Sequence, residues 1–501
     1  MALTAALCTL TGLVGGACGG DDPATTTSGT GGAGTGGEEL GGFMTGPTGS
    51  GGGMNGGGGE GGTGEVTNVW GEVLGGAGSV FPKGVAIDGM GNIVVVGGFD
   101  NGDINLGGND LVHAGGSDIF VAKFASDGTH LWSTQVGSGG DESAESVAVD
   151  AAGNIALCGT FLGSFAFQGG GTLTSAGNQF SDAFLAKLDA DGTHVFSAAY
   201  GTGAPYGDDG NGVATTSNGD IVFTGRFQNS ADFGGGPLNG AATGDFAVFL
   251  AKFDPQGSYS FAEAYGDEFR QEGLGVAVAS NGDIGLVGYS WGNVDFGGGL
   301  FSTDQVDQDR PFVARFSNDG AHVFSALGTG GEARSAGVAF TGQDTVVAGS
   351  FKTAIDFGDG NLEAEGGSDD IFVTRFDATG AQVFHRRFGD MARDQAAAVA
   401  TDSMGFTVVA GTFDGQLKVN FDNTLESMAS IQDAFLLRLG PSGNGFAGVT
   451  MQADESAQAE GVAVDPNDDS IVVVGRVSGS VDFGTGPLAG AADMFLAKFA
   501  P

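Results

Sequence analysis

Cysteine is scarce in this chain: three among 501 residues, at Cys8, Cys18 and Cys158. Cys158 stands alone in the body of the sequence, so no internal disulfide can staple it and stability must come from packing. Bases are equally short, 18 Lys and Arg against 60 Asp and Glu, for a formal charge of -42. None of them precedes Lys83. That deficit excludes nucleic acid or an anionic membrane surface as partner, because both demand basic patches. It leaves cationic ligands and Ca²⁺ open. Proline is limited to 11 residues and no Gly-X-Y period runs through the chain, which excludes collagen. Beyond residue 18 no run of about 18 apolar residues exists, so no transmembrane helix is expected. Glycine, by contrast, occupies 100 positions, and 41% of residues are apolar, enough to build a core.

The first segment is a short apolar run, ALTAALCTLTGLV at 2–14, followed by Gly15, Gly16, Ala17 and Cys18. It resembles a bacterial lipoprotein signal peptide, which would make Cys18 the lipidated first residue of the mature chain. An ordinary secretory peptide cleaved nearby is the other reading. Residues 19–65 hold Gly, Thr, Ser and a few acids with hardly any core former. Such a composition cannot bury enough surface to fold, and a Gly-rich coil of that length reaches roughly 35–40 Å. The expected organisation is therefore a signal at 1–18, a disordered tether at 19–65 and a folded body at 66–501.

The body is repetitive. A Val-Ala pair recurs at Val85, Val147, Val213, Val276, Val338, Val399 and Val462, spaced 62, 66, 63, 62, 61 and 63 residues apart by subtraction. These mark units 1 to 7. Each holds four short runs of β character and no helical period. Strand A is the GVAVD run, strand B the NIVVVG run, strand C the FLAKF run, and strand D ends in an aromatic. Tight Gly, Asn and Asp turns join A to B and C to D, and a long segment joins B to C. Unit 7 stops after its strand C, at FLAKFAP, while the body begins with NVWGEVLG, which has no A, B or C before it. Trp70 aligns with Trp132, Phe196, Phe261, Phe324 and Phe384 of strand D. The expected fold is all-β: a seven-bladed β-propeller of four-stranded antiparallel blades, with the N-terminal strand completing the last blade. A linear solenoid, the alternative, would carry polar caps.

The combination GVAVD, GNI.V.G and DAFLAKLD..G resembles the SBBP (seven-bladed β-propeller) repeat proteins exported by bacteria, over residues 66–501. The resemblance implies a propeller at the cell surface or in the periplasm. It implies no catalytic residues.

Candidate chemistry is thin. Every unit places one base in strand C (Lys123, Lys187, Lys252, Arg315, Arg375, Arg438, Lys498). Sevenfold repetition points to a structural pairing within each blade rather than a functional ring of cations. His130, His194 and His322 share one position on strand D and so cannot converge on a metal. Nothing resembles HExxH, a Walker loop or a Gly-x-Ser-x-Gly elbow. Asp189 and Asp191 on the DADG turn would supply half of a Ca²⁺ loop, but only one unit carries the pair, which favours a plain turn. No cofactor is required by any motif.

Antiparallel order puts the A–B and C–D hairpins on one face, and the B–C segments and D-to-A connections on the other. The second face carries the long, varied segments, where binding concentrates. It also carries acids: Asp141, Glu142, Asp208, Asp209, Asp267, Glu268, Asp454 and Glu455. They fit either a cationic ligand, with or without bridging Ca²⁺, or simple solubility. The expectation is a monomeric, exported, lipid-anchored binding module for a protein or carbohydrate, touching the membrane only through its anchor. A propeller enzyme with a site in the central funnel, acting on polysaccharide, and a purely structural surface protein are the alternatives.

Overall fold

A computed structural model describes residues 65–501 apart from 178, 204–205, 241–244, 268, 303–307 and 429–430. The expected signal, tether and lipidation site Cys18 lie outside the described residues, as does Glu268. Among the described residues the regular structure is all strand. In unit 2 the strands Glu142–Val149, Ile155–Phe161, Asp182–Leu188 and His194–Tyr200 form one antiparallel sheet in that order. The same A–B–C–D order recurs in units 1, 3, 4 and 5. Units 6 and 7 repeat it within a longer path, linked where Gln452 and Ala453 pair with Asp482 and Val481. Beside strand C of unit 7, Pro487–Ala500, lies Thr67–Gly76, with Trp70 opposite Lys498 as Trp132 is opposite Lys123.

Strands B and C are buried on both faces; every residue of Asp182–Leu188 is buried. This is why they read as unbroken apolar runs rather than as alternating ones. Each sheet packs face to face on the next unit's sheet, and seven hydrophobic clusters occupy these seams among the described residues. One of them joins Val474 and Leu496 of unit 7 to Val95 and Phe120 of unit 1. The architecture is all-β and propeller-like.

Two repeated irregularities shape the sheets. Strand A always bulges, at Lys83, Glu145, Asn211, Leu274, Ala336, Ala397 and Glu460. Strand D bulges after its first residue, leaving Leu131, Val195, Val323 and Val383 unpaired and exposed. A bulge on an outer strand disrupts the edge that another chain would otherwise extend. It also puts His130, His194 and His322 beside Ser133, Ser197 and Ser325, at 3.0, 3.0 and 3.1 Å. These histidines pack on the glycines of their own B–C turns, such as Gly108 and Gly298, so their role is internal. The B–C segments are not plain loops: three of them fold into two-stranded ribbons, for example Ser230–Asp232 with Pro237–Asn239.

The strand-C bases are structural. All seven meet an acid of their own unit's A–B turn: Lys123 with Asp88 at 3.0 Å, Lys187 with Asp150 at 3.0 Å, Lys252 with Asp220 at 3.1 Å and Arg315 with Asp283 at 2.7 Å. Arg375 meets Asp344 at 2.8 Å, Arg438 meets Asp402 at 2.6 Å and Lys498 meets Asp465 at 3.2 Å. Lys123, Lys187 and Lys252 also donate to a carbonyl on the following unit's C–D turn, at 3.1–3.3 Å. Cys158 is buried, and burial pushes its thiol well up, which keeps it protonated and inert.

Candidate functional site

The bulge in strand A turns one residue per unit toward a shared space. The seven bulge residues line a single cavity of about 240 Å³, each with the two residues that follow it except in unit 3, where only Gly212 joins Asn211. The first strands touch in chain order, and Ser79–Ile87 of unit 1 touches Ser456–Val464 of unit 7. The cavity therefore lies where the first strands of the seven units come together.

Above it, at the end where strand A begins, the seams between units carry polar contacts. The densest joins units 3, 4 and 5. Glu272 accepts from Asn211 Nδ2 at 3.0 Å, Arg226 at 3.1 Å, Arg270 at 3.2 Å and the Tyr289 hydroxyl at 2.7 Å. Arg226 also pairs with Asp209, and its guanidinium lies 4.1 Å from the Phe246 ring centre. Arg334 binds Asp309 and stacks 4.8 Å from the Tyr289 ring centre. Burial, followed by the neighbouring Glu272 carboxylate, raises the Tyr289 hydroxyl. Every acid in this network has a cation in contact.

A second set of acids is buried where strand C of one unit meets strand A of the next. Asp118, Asp182, Asp370 and Asp433 begin their C strands, and each accepts a backbone N–H at 2.6–2.9 Å. Burial raises all four. Asp394, at the start of strand A in unit 6, is pushed up to about 8 by burial, with Asp390, Asp370 and Asp414 adding repulsion.

The acids anticipated for the open face are placed at four separate seams. Asp141 is exposed and accepts the Ser117 N–H at 3.2 Å. Glu142 is buried and takes the Ser138 N–H at 2.9 Å and its hydroxyl at 2.6 Å. Asp208 is buried, takes the N–H groups of Gln228 and Thr202 at 2.8 and 3.0 Å, and is pushed up to about 6 by burial. Asp209 is held by Arg226, and burial raises it. Asp267 takes the N–H groups of Phe269 and Asn293 at 2.9 and 2.8 Å. Asp454 and Glu455 are exposed. Glu142 and Asp209 lie in strand A rather than in the D-to-A connections expected from the sequence. On the opposite face, Asp189 Oδ1 caps the N–H groups of Asp191 and Thr193 at 3.0 and 2.8 Å, while Asp191 is exposed. Asp254 and Asp377 do the same in units 3 and 5, so this geometry belongs to the hairpin. Among the described residues no group of three or more His, Cys, Asp or Glu is placed to hold a metal ion.

No family model matches the chain, and no curated protein matches it. Several solved structures are similar to it. A gluconolactonase from Xanthomonas campestris shares 12% identity over 87% of this chain and 97% of its own, with a TM-score of 0.32. A Dyadobacter fermentans protein of unknown function shares 12% over 71% and 93%, TM-score 0.35. A Bacteroides caccae protein of unknown function shares 13% over 66% and 89%, TM-score 0.30.

Proposed function

We propose that this chain is an exported, lipid-anchored propeller of the SBBP repeat type that serves as a binding module at the cell surface or in the periplasm. In this reading it has seven blades, closed by Thr67–Gly76 as the outer strand of the last. The observation that carries the reading is the contrast between the two faces. One face presents short turns, 88–92 and 150–154 between strands A and B, that repeat from unit to unit. The other presents long segments, 101–117 and 352–369 among them, that differ in sequence and local structure. A rigid scaffold with varied segments on one side is the arrangement that recognition uses. The axial acids favour a binder over a hydrolase. Of the two acids that line the cavity, Glu460 is held by Arg476 at 2.9 Å, which leaves Glu145 alone. Hydrolysis of a polysaccharide by paired carboxyls needs two acids free to flank the bond. The partner in this reading is a protein or carbohydrate met by the long segments.

Membrane fractionation of the full chain against Cys18→Ser tests the anchor. Two acyl chains hold a protein stably where one is marginal. The parent protein is expected in the membrane fraction and the variant in the soluble fraction. Equal partitioning of the two overturns the anchor.

A further inference from the structure

We propose that the axial cavity is a binding site for a free α-amino acid with an aliphatic side chain. The inference goes beyond the loop-face reading and does not depend on the anchor.

The strand-A bulge position is where the repeat stops repeating. Glycine or serine follows the bulge in six units and valine comes next in all seven, yet the bulge residue itself changes around the ring. The change is ordered. Glu460, Lys83, Glu145 and Asn211 come from units 7, 1, 2 and 3, which are consecutive around the axis. Leu274, Ala336 and Ala397 come from units 4, 5 and 6 and complete the circle. One arc is polar and the other is aliphatic.

The polar arc alternates in sign: carboxylate, ammonium, carboxylate. Lys83 Nζ lies 3.7 Å from Glu145 Oε2, beyond hydrogen-bond distance, and its side chain is 40% exposed. Its donors are thus not taken by Glu145. Glu145 Oε1 accepts the Ser143 hydroxyl at 2.6 Å and leaves Oε2 for a further donor. Asn211 gives its amide N–H groups to Glu272 and the Gly273 carbonyl, at 3.0 and 2.9 Å.

A ligand matching this lining carries both signs of charge at one end and an aliphatic group at the other. An α-amino acid does so: its carboxylate meets Lys83, its ammonium meets Glu145, and its side chain meets Leu274, Ala336 and Ala397, while Glu460 is already held by Arg476 at 2.9 Å. A simple carboxylate would meet Lys83 but leave Glu145 without a cation of its own. A sugar would leave the alternating charges unused, and the lining offers no aromatic ring for its apolar face. The cavity, at about 240 Å³, falls just below the size of sites for drug-sized molecules and suits a small one.

Isothermal titration calorimetry of the full chain with L-leucine, 4-methylpentanoate, isopentylamine and glucose tests this. Saturable binding is expected for L-leucine, at least about tenfold weaker binding for the two analogues that lack one charge, and none for glucose. Lys83→Met is expected to weaken L-leucine by at least about tenfold, and Ala336→Leu to abolish binding by filling the aliphatic arc. No heat with L-leucine at millimolar concentration overturns the proposal. So does glucose binding as tightly as L-leucine, or parental affinity in both variants. Should a variant unfold, the ligand series on the parent protein decides.

Discussion

Asp394 and Gln271 hold the same place at the start of strand A, three residues before the bulge, in units 6 and 4. Gln271 accepts the Asp267 N–H at 3.3 Å and returns its own amide N–H to Asp267 Oδ1 at 2.8 Å. Asp394 Oδ2 accepts the Asp390 N–H at 3.0 Å, but its Oδ1 is buried without a partner. A protonated carboxyl is the closest acidic imitation of the amide, neutral and with one donor. Burial drives it that way, raising Asp394 to about 8. The folded state therefore keeps a proton that the unfolded chain, with an ordinary carboxyl near ~3.9, gives up. Stability is then full below ~4 and falls as pH rises through ~8. Asp208, raised to about 6, adds a loss of the same sign at lower pH. Melting temperature is expected to fall between pH 5 and pH 8.5, after the acid-range losses of other groups are over. Asp394→Asn should flatten the fall above ~6 and reduce it below ~6, where Asp208 still contributes. Equal slopes for the two proteins in calorimetric melts above pH 6 would count against a protonated Asp394.

The A–B hairpin solves one electrostatic problem in two ways. In units 1, 2, 6 and 7 the acid that meets the strand-C base ends strand A: Asp88, Asp150, Asp402 and Asp465. In units 3, 4 and 5 it stands on the far side of the turn: Asp220, Asp283 and Asp344. Both positions reach the same base because the turn folds them side by side. In unit 3 the first position is Thr216, whose hydroxyl accepts the Asp220 N–H at 3.0 Å, as Asp88 accepts the Asn92 N–H at 2.9 Å. Asp220→Asn should destabilise the protein by less than the ~3–5 kcal/mol of a fully buried pair, because Asp220 is 25% exposed. Adding Thr216→Asp should restore most of the loss. Denaturant melts of the single and double variants check this, and no recovery in the double variant refutes the exchange. The bases were legible in the sequence because strand C keeps its register in every unit. Their partners were not, because the acid changes sides of a turn. The bulge hid the site in a similar way. It breaks the two-residue alternation of strand A, so Glu142 and Asp209 fall out of phase with the residues after the bulge and read as loop acids. The existence of four strands per unit needed no such detail, since length, turn residues and recurrence already carried it.

At the scale of the molecule, one contact repeats between units. The strand-D aromatic of each sheet lies on the glycine of the next unit's C–D turn. A Cβ on Gly192, where φ is +82°, would stand 3.1 Å from Trp132 Cη2, and Phe196, Phe261, Phe324 and Phe384 meet Gly257, Gly320, Gly380 and Gly443 in the same way. The series includes Trp70 on Gly128, so Thr67–Gly76 makes toward unit 1 the contact that a unit 7 strand D would make. Unit 6 is the exception. Its residue at this register is Ala447, opposite Arg438, and the neighbouring unit 7 has no C–D hairpin to receive a ring. That seam is held instead by Phe446, packed against the cluster shared by units 6 and 7, by Ser403 bound to Asp469, and by Val66, buried in that same cluster. Residues 66–75 thus act at both seams of unit 7. If they close the ring as proposed, deleting them should lower the melting temperature and uncover Phe495, Leu496 and Phe499, all buried in the intact protein. The bared edge of Pro487–Ala500 would carry unpaired N–H and C=O groups beside those side chains, an arrangement that recruits other chains. Light scattering should then show concentration-dependent association of the deleted protein. Trp70→Ala keeps the strand and removes only the ring, so it should lower stability without association. A deleted protein that stays monomeric and melts at the parental temperature would mean that the N-terminal strand decorates the last sheet without closing the ring.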